Sequence, residues 1–160
     1  ISKGAGCRGM VAGQVADMEA EDKSSSKEML DYIHLTKTSA LIIAAVRAGA
    51  HLGEADSEML DKLTVFAENL GLAFQIRDDI LDVEGDEKLL GKPIGSDAQE
   101  GKTTFVTLFG IEESKKILDK LTQKALIACD NLEKLCDTQI QKDACGFFKE
   151  LARFLLERNY

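Results

Sequence analysis

A chain of 160 residues can bury a sizeable core, and 44% hydrophobic with 30% charged residues is the composition of a folded globular chain, not a disordered one. Lys and Arg number 20 against 28 Asp and Glu, a net charge of −8, which tells against a nucleic-acid partner because phosphate contacts demand clustered cations. Pro occurs once and Trp not at all, while Leu, Ile and Ala carry the apolar pattern, so the expected fold is all-α, a helical bundle.

In chain order, Gly4 to Ala20 reads as a Gly- and Ala-rich helix. Gly6, Gly9 and Gly13 share one face of it and leave room for another helix to approach. A polar break follows at Ser24 to Ser26, and Ser25 with Glu28 three residues on fits a capping box. A helix then runs through Met29, Leu30, Ile33 and His34 towards Lys37, and Thr38 to Leu52 continues it, ending at Gly53. Asp56 or Ser57 caps the next helix, predicted over 57–83 from the stripe Leu60, Leu63, Ala67, Leu70 and Phe74. Gly85 to Gly101, punctuated by Gly91, Pro93 and Gly95, reads as a long loop. Helical periodicity returns at Phe105, Leu108 and Phe109, then over 112–135 and 140–156. No alternating pattern predicts a strand, and no internal repeat is visible.

The cysteines, Cys7, Cys129, Cys136 and Cys145, form no C-x-x-C pair, and His34 and His51 are the only histidines, so a zinc site is not expected. Reduced, buried thiols in a cytoplasmic protein are the plainer reading. The longest apolar stretch, Ala40 to Val46, falls short of the about 20 residues a bilayer span needs, so no membrane insertion is expected. The first residue is Ile1 and not Met, inside a helical pattern, which reads as part of a longer domain.

The most informative segment is Phe74-Gln75-Ile76-Arg77-Asp78-Asp79-Ile80-Leu81-Asp82. On a helix, Gln75, Asp78, Asp79 and Asp82 fall on one stripe, at i, i+3, i+4 and i+7. Like charges so placed destabilise the helix by a few tenths of a kcal/mol per pair, roughly, so something must offset them. A solvated outer face would do so, and so would a bound dication, since carboxylate oxygens suit Mg²⁺. Lys92 and Lys102 follow Gly91 and Gly101 in the loop just after the acids, and Lys37 with Thr38 lies at a helix junction. Each lysine alone reads as solvent-exposed. Beside an acidic helix they describe a site for a metal-complexed anion.

These residues resemble the trans-isoprenyl diphosphate synthase family. Phe74-Gln75-x-x-Asp78-Asp79-x-x-Asp82 is similar to its second aspartate-rich motif, and Lys37-Thr38 to its Lys-Thr segment. Gly91-Lys92 and Gly101-Lys102-Thr103-Thr104 are similar to its later lysine segments, and Gly9 to Asp17 to its Gly-Gln-Asp helix. The resemblance covers about Gly4 to Gly110, with the later helices compatible. It implies helices around a deep cavity, with two aspartate-rich motifs facing each other and Mg²⁺ ions holding an allylic diphosphate between them. By position, Asp78 would ligate Mg²⁺, with Asp79 and Asp82 supporting the ion or its waters. Lys37 and Lys92 would bind the allylic diphosphate, and Thr38, Gln75 and Lys102 would close and orient the site. Asp78, Lys37 and Lys92 would then be the residues closest to the chemistry. Isopentenyl diphosphate would be the second substrate, and a homodimer the implied assembly.

The chain departs from the family in having no upstream Asp-Asp-x-x-Asp motif; Asp17, Glu19, Glu21 and Asp22 stand in a different context. Arg8 and Arg47 do not match the arginines that hold isopentenyl diphosphate. The expectation is therefore the C-terminal part of a single synthase domain over residues 1–160, inactive in prenyl transfer by itself. A non-catalytic subunit of a heteromeric prenyl synthase and a related cyclase that ionises allylic diphosphates are the alternatives.

Overall fold

A computed structural model describes residues 1–21, 23, 25–85, 94–99 and 101–158. Among these every regular element is helical. In order they are α1 (Ser2–Ala5), α2 (Met10–Ala20), α3 (Lys27–His34), a π turn (Leu35–Ser39), α4 (Ala40–Leu52), α5 (Ser57–Glu84), α6 (Ser96–Gln99), α7 (Phe105–Phe109), α8 (Ile111–Glu133) and α9 (Gln139–Glu157).

The long helix α5 is the axis of the bundle. Asp56 starts it, its side chain accepting from the Met59 amide at 2.8 Å. No Pro interrupts its 28 residues, and Gly85 ends it. Its apolar positions divide among three core clusters. Ala73, Ile76 and Ile80 meet Leu30, Phe105 and Leu118 at the end that carries the aspartates. Phe66 and Leu70 meet Ala125, Ala128, Cys129 and Ala152 in the middle. Leu63 meets Ala50, Leu132 and Cys145 at the start. So α8 lies along α5, with α4 and α9 closing the sides. Replacing Asp56 with Ala removes one cap bond and should lower unfolding stability by about 1 kcal/mol, read from the denaturant midpoint.

Three expectations from the sequence need correction. The first helix is two pieces, because the chain turns over Gly6 to Gly9; of Gly6, Gly9 and Gly13, only Gly13 meets another helix, while Gly9 faces the Gly4 carbonyl. The cap of α3 is Ser26, which accepts from the Met29 amide at 3.3 Å, whereas the Ser25 amide donates to Thr103 Oγ1. The loop after α5 contains a helical turn, α6. As expected, α3 continues through the π turn into α4; this run, Lys27–Leu52, has the length and apolarity to cross a bilayer. Its Lys37, Thr38 and Arg47 each bond a side chain of another helix, which makes it a member of the bundle. The helix over 57–84, the ends of α8 and α9, and the all-α class agree with expectation.

Candidate functional site

The site forms where α2, the π turn, the C-terminal half of α5 and the segment 101–105 meet. The π turn lies between α2 and α5. A wider turn is rare in helices and occurs mostly as a single bulge. Here it carries Leu35–Ser39, and so Lys37 and Thr38. Two glycines let the neighbouring helices close on it. A Cβ at Gly13 of α2 would stand 2.2 Å from the Lys37 amide nitrogen, and one at Gly71 of α5 would stand 2.4 Å from Ser39 Oγ.

Packed in this way, the turn hands its polar side chains to both neighbours. Lys37 Nζ lies 2.5 Å from Asp17 Oδ2 of α2. Thr38 Oγ1 donates to Gln75 Oε1 of α5 at 2.9 Å. Asp17, which the sequence presents only as the end of the Gly-Gln-Asp helix, is the residue that pairs with Lys37. One signal for it was available: Gly13 and Asp17 are four apart, so the face that admits the turn also presents the carboxylate to its lysine.

The carboxylates of α5 share a stripe but have different partners. Asp78 is 36% exposed in its side chain and pairs with the Arg158 guanidinium, which also lies 4.1 Å over the Phe74 ring. Asp79 is buried, and its Oδ2 accepts from the Phe105 amide at 2.8 Å. Burial pushes its carboxyl up to about 7, the Asp97 and Asp78 charges add to that, and the Phe105 and Gln75 hydrogen bonds oppose it. Asp82 is buried too; its Oδ1 accepts from Ser96 Oγ at 2.6 Å and its Oδ2 from the Asp97 amide at 3.2 Å. Thus Asp82 holds α6, and Asp79 holds the start of α7. Among the described residues no three His, Cys, Asp or Glu side chains converge as a ready-made metal cage.

Lys102 lies on the segment that Asp79 anchors, and its amide donates to the Asp97 carbonyl at 2.9 Å. With Thr103 it lines a narrow cleft whose other walls include Asp17, Leu30 and Ile33. The structure thus links Thr38 with Gln75, and Asp79 and Asp82 with the segments on either side of Lys102, while Lys37 pairs with Asp17 and Asp78 with Arg158. Lys92, with Gly91, lies outside the described residues. Arg158 is an unforeseen member of the site.

Beneath the site, His34 stacks on Phe105 with ring centroids 5.4 Å apart. Its Nδ1 has no hydrogen-bond partner among the described residues. Burial pushes the ring down to about 4 from 6.5; Lys37 lowers it further, and Asp17 opposes. The unfolded chain therefore takes up this proton first. The stability that neutral His34 confers is complete above pH 6.5 and is lost as pH falls towards 4. Asp79 acts in the opposite sense, since its raised carboxyl favours the folded state at low pH and that gain is lost as pH rises from 3.8 to about 7. A difference measurement separates the two. Between pH 7.5 and 4.5 the His34→Gln variant should gain about 2–3 kcal/mol on the parent in denaturant unfolding. A pH-independent difference would show that His34 is not held neutral.

The fold and site together define an all-α protein with a mixed acid and base site at one end of its central helix. The family model for polyprenyl synthetase matches residues 5–138, and the chain belongs to that family. It is 49% identical over 118 residues to a farnesyl diphosphate synthase of Geobacillus stearothermophilus, covering 74% of this chain and 40% of that protein. It is 44% identical over 146 residues to the farnesyl diphosphate synthase of Bacillus subtilis, covering 87% of this chain and 49% of that protein. Among solved structures it superposes on a Helicobacter pylori geranyltransferase complexed with magnesium and isoprenyl diphosphate, with a TM-score of 0.76 and 32% identity, over 96% of this chain and 48% of that one. The chain thus spans about half the length of the curated relatives it matches.

Proposed function

We propose that residues 1–160 are the C-terminal part of a single isoprenyl diphosphate synthase domain. The whole protein would condense isopentenyl diphosphate with an allylic diphosphate, in isoprenoid biosynthesis, with Mg²⁺. The observation that carries this reading is the convergence of segments far apart in sequence. The Lys37–Asp17 pair, the Thr38–Gln75 bond and the Asp79–Phe105 bond gather two lysines and the α5 carboxylates around one end of α5.

The donors fit Mg²⁺. They are hard carboxylate oxygens, and Asp78 already faces a cationic guanidinium where a metal would sit. When bound, the metal supplies charge neutralisation to a leaving diphosphate. Asp78 would be the direct ligand. Asp79 and Asp82 would support it by fixing the segments on either side. Lys37, Lys102 and, from the resemblance, Lys92 would bind the allylic diphosphate and stabilise the charge that grows on its oxygens as the C–O bond breaks. The Thr38–Gln75 bond would hold the π turn against α5, so that Lys37 does not move with the substrate. The carbocation then needs a dry apolar wall to keep water away. The departing diphosphate accepts the proton lost after attack by the isopentenyl double bond.

This chain would supply one wall of that cavity and not the whole of it. Val11, Val15 and Met18 of α2 and Met29 and Tyr32 of α3 leave a broad apolar face in solvent, which supports packing against an upstream half. A cytoplasmic homodimer is the setting that the resemblance implies.

Calorimetric titration of the chain with inorganic diphosphate tests the site by itself. The expected result is saturable binding in Mg²⁺ that weakens at least about tenfold without the metal or in Asp78→Ala. Binding that ignores both would remove the metal from the account.

A further inference from the structure

The thiols of Cys136 and Cys145 stand apart from the site described above. Cys136 lies in the turn between α8 and α9, and Cys145 in the second turn of α9. Their sulfurs are 3.7 Å apart. Both line a cavity of about 490 Å³ walled by α4, α5, α8 and α9, with Leu63, Leu132 and Phe148 as neighbours. Cys136 is half-buried and Cys145 is buried. Cys129, one heptad before Cys136, is packed with Phe66 and Ala125 in the core.

We propose that Cys136 and Cys145 are a redox couple, a reversible disulfide that staples the α8–α9 corner. The sulfurs need to close from 3.7 Å to about 2 Å, a change within reach of side-chain rotation. The accessible Cys136 reacts first. Its thiolate attacks one sulfur of a small-molecule disulfide such as oxidised glutathione; that S–S bond breaks and one glutathione leaves reduced. Cys145 then attacks the Cys136 sulfur and passes its proton to the second glutathione as it departs. Two protein thiols are oxidised and one glutathione disulfide is reduced to two thiols, so the exchange balances. Burial pushes the Cys145 thiol up to about 12, so Cys145 is not the thiol that reacts first; its place 3.7 Å from Cys136 is what brings it to the second, intramolecular step. The staple fixes the near end of α9. Arg158, which contacts Asp78, lies thirteen residues (158 minus 145) beyond Cys145, roughly 20 Å along the helix.

The test uses the 160-residue chain with Cys7→Ser, which removes the exposed thiol and leaves three of the four cysteines. The chain is incubated with oxidised glutathione, its free thiols are counted in denaturant, and it is digested with trypsin. Cleavage after Lys134, Lys142 and Lys149 places the cysteines on separate peptides, 135–142 and 143–149. The expected result is loss of two thiols, one mass for the joined peptides, no retained glutathione, and a melting temperature about 5–10 °C higher that dithiothreitol reverses. Cys136→Ser, at the less buried position, should abolish both the link and the shift. Three persisting thiols, glutathione retained on Cys136 beside a free Cys145, or a link between two chains would each overturn the proposal.

Discussion

When the chain is joined to the upstream half of a bacterial farnesyl diphosphate synthase, Asp78→Ala should lower kcat/KM for prenyl transfer by on the order of 10³-fold or more. The size of the effect follows from what Asp78 does in the site. Asp79 and Asp82 are buried, with their oxygens on amides and a hydroxyl, so they organise the surrounding chain. Asp78 is the carboxylate that is partly open and turned to a cation. Removing it would take away a ligand of the Mg²⁺ whose positive charge offsets a leaving diphosphate, while the apolar contacts of α5 stay in place. The loss should appear mostly in kcat, with a lower thermal transition only to the extent that Arg158 loses its partner. A loss confined to KM would make Asp78 a simple binding group and the metal role would fall.

The second large effect concerns a residue with no functional group. Gly13→Ala places a methyl 2.2 Å from the Lys37 nitrogen and 2.5 Å from its Cα. These are backbone atoms, and no rotamer relieves the clash. Either α2 retreats or the π turn changes register, at a cost of about 1–3 kcal/mol and a fall in melting temperature of roughly 2–4 °C for each. Because Asp17 lies one turn beyond Gly13, the same displacement pulls the carboxylate from Lys37, so diphosphate binding should weaken as well. Gly49 in α4 is the control. A methyl there meets nothing within 4 Å. Gly49→Ala should therefore stabilise the helix by about 0.5–1 kcal/mol. Opposite signs from the same substitution, read from unfolding midpoints, would establish that close approach to the π turn is what Gly13 provides. Equal signs would contradict it.

How far the sequence led depended on whether the information was local. The run of α5 was readable because its apolar residues repeat every three or four positions between an Asp cap and a Gly stop. The stripe of Gln75, Asp78, Asp79 and Asp82 followed from the same geometry. The break at Gly6–Gly9 was missed because glycines at helical spacing look alike whether they line a face or end a helix. The π turn was invisible, since one residue gained in a turn leaves no mark in composition. The deepest gap was in pairing. Asp17 meets Lys37 across 20 residues and Arg158 meets Asp78 across 80. Those contacts depend on how α2 and α9 are rotated against the bundle. Spacing along one helix carries no such information. The resemblance to a family supplied the roles of lysines and aspartates, and the structure adds which of them hold one another in place.

A prenyl transfer assay run on the 160-residue chain and on the chimera, side by side, tests the central claim most directly. Each would receive Mg²⁺, labelled isopentenyl diphosphate and, in turn, dimethylallyl, geranyl and farnesyl diphosphates. The account predicts a silent chain and a chimera that turns over, because the carboxylates and lysines gathered at the end of α5 are one face of a site that needs a second. Turnover by the chain alone, or a folded chimera that binds diphosphate with Mg²⁺ and yet transfers nothing, would contradict it.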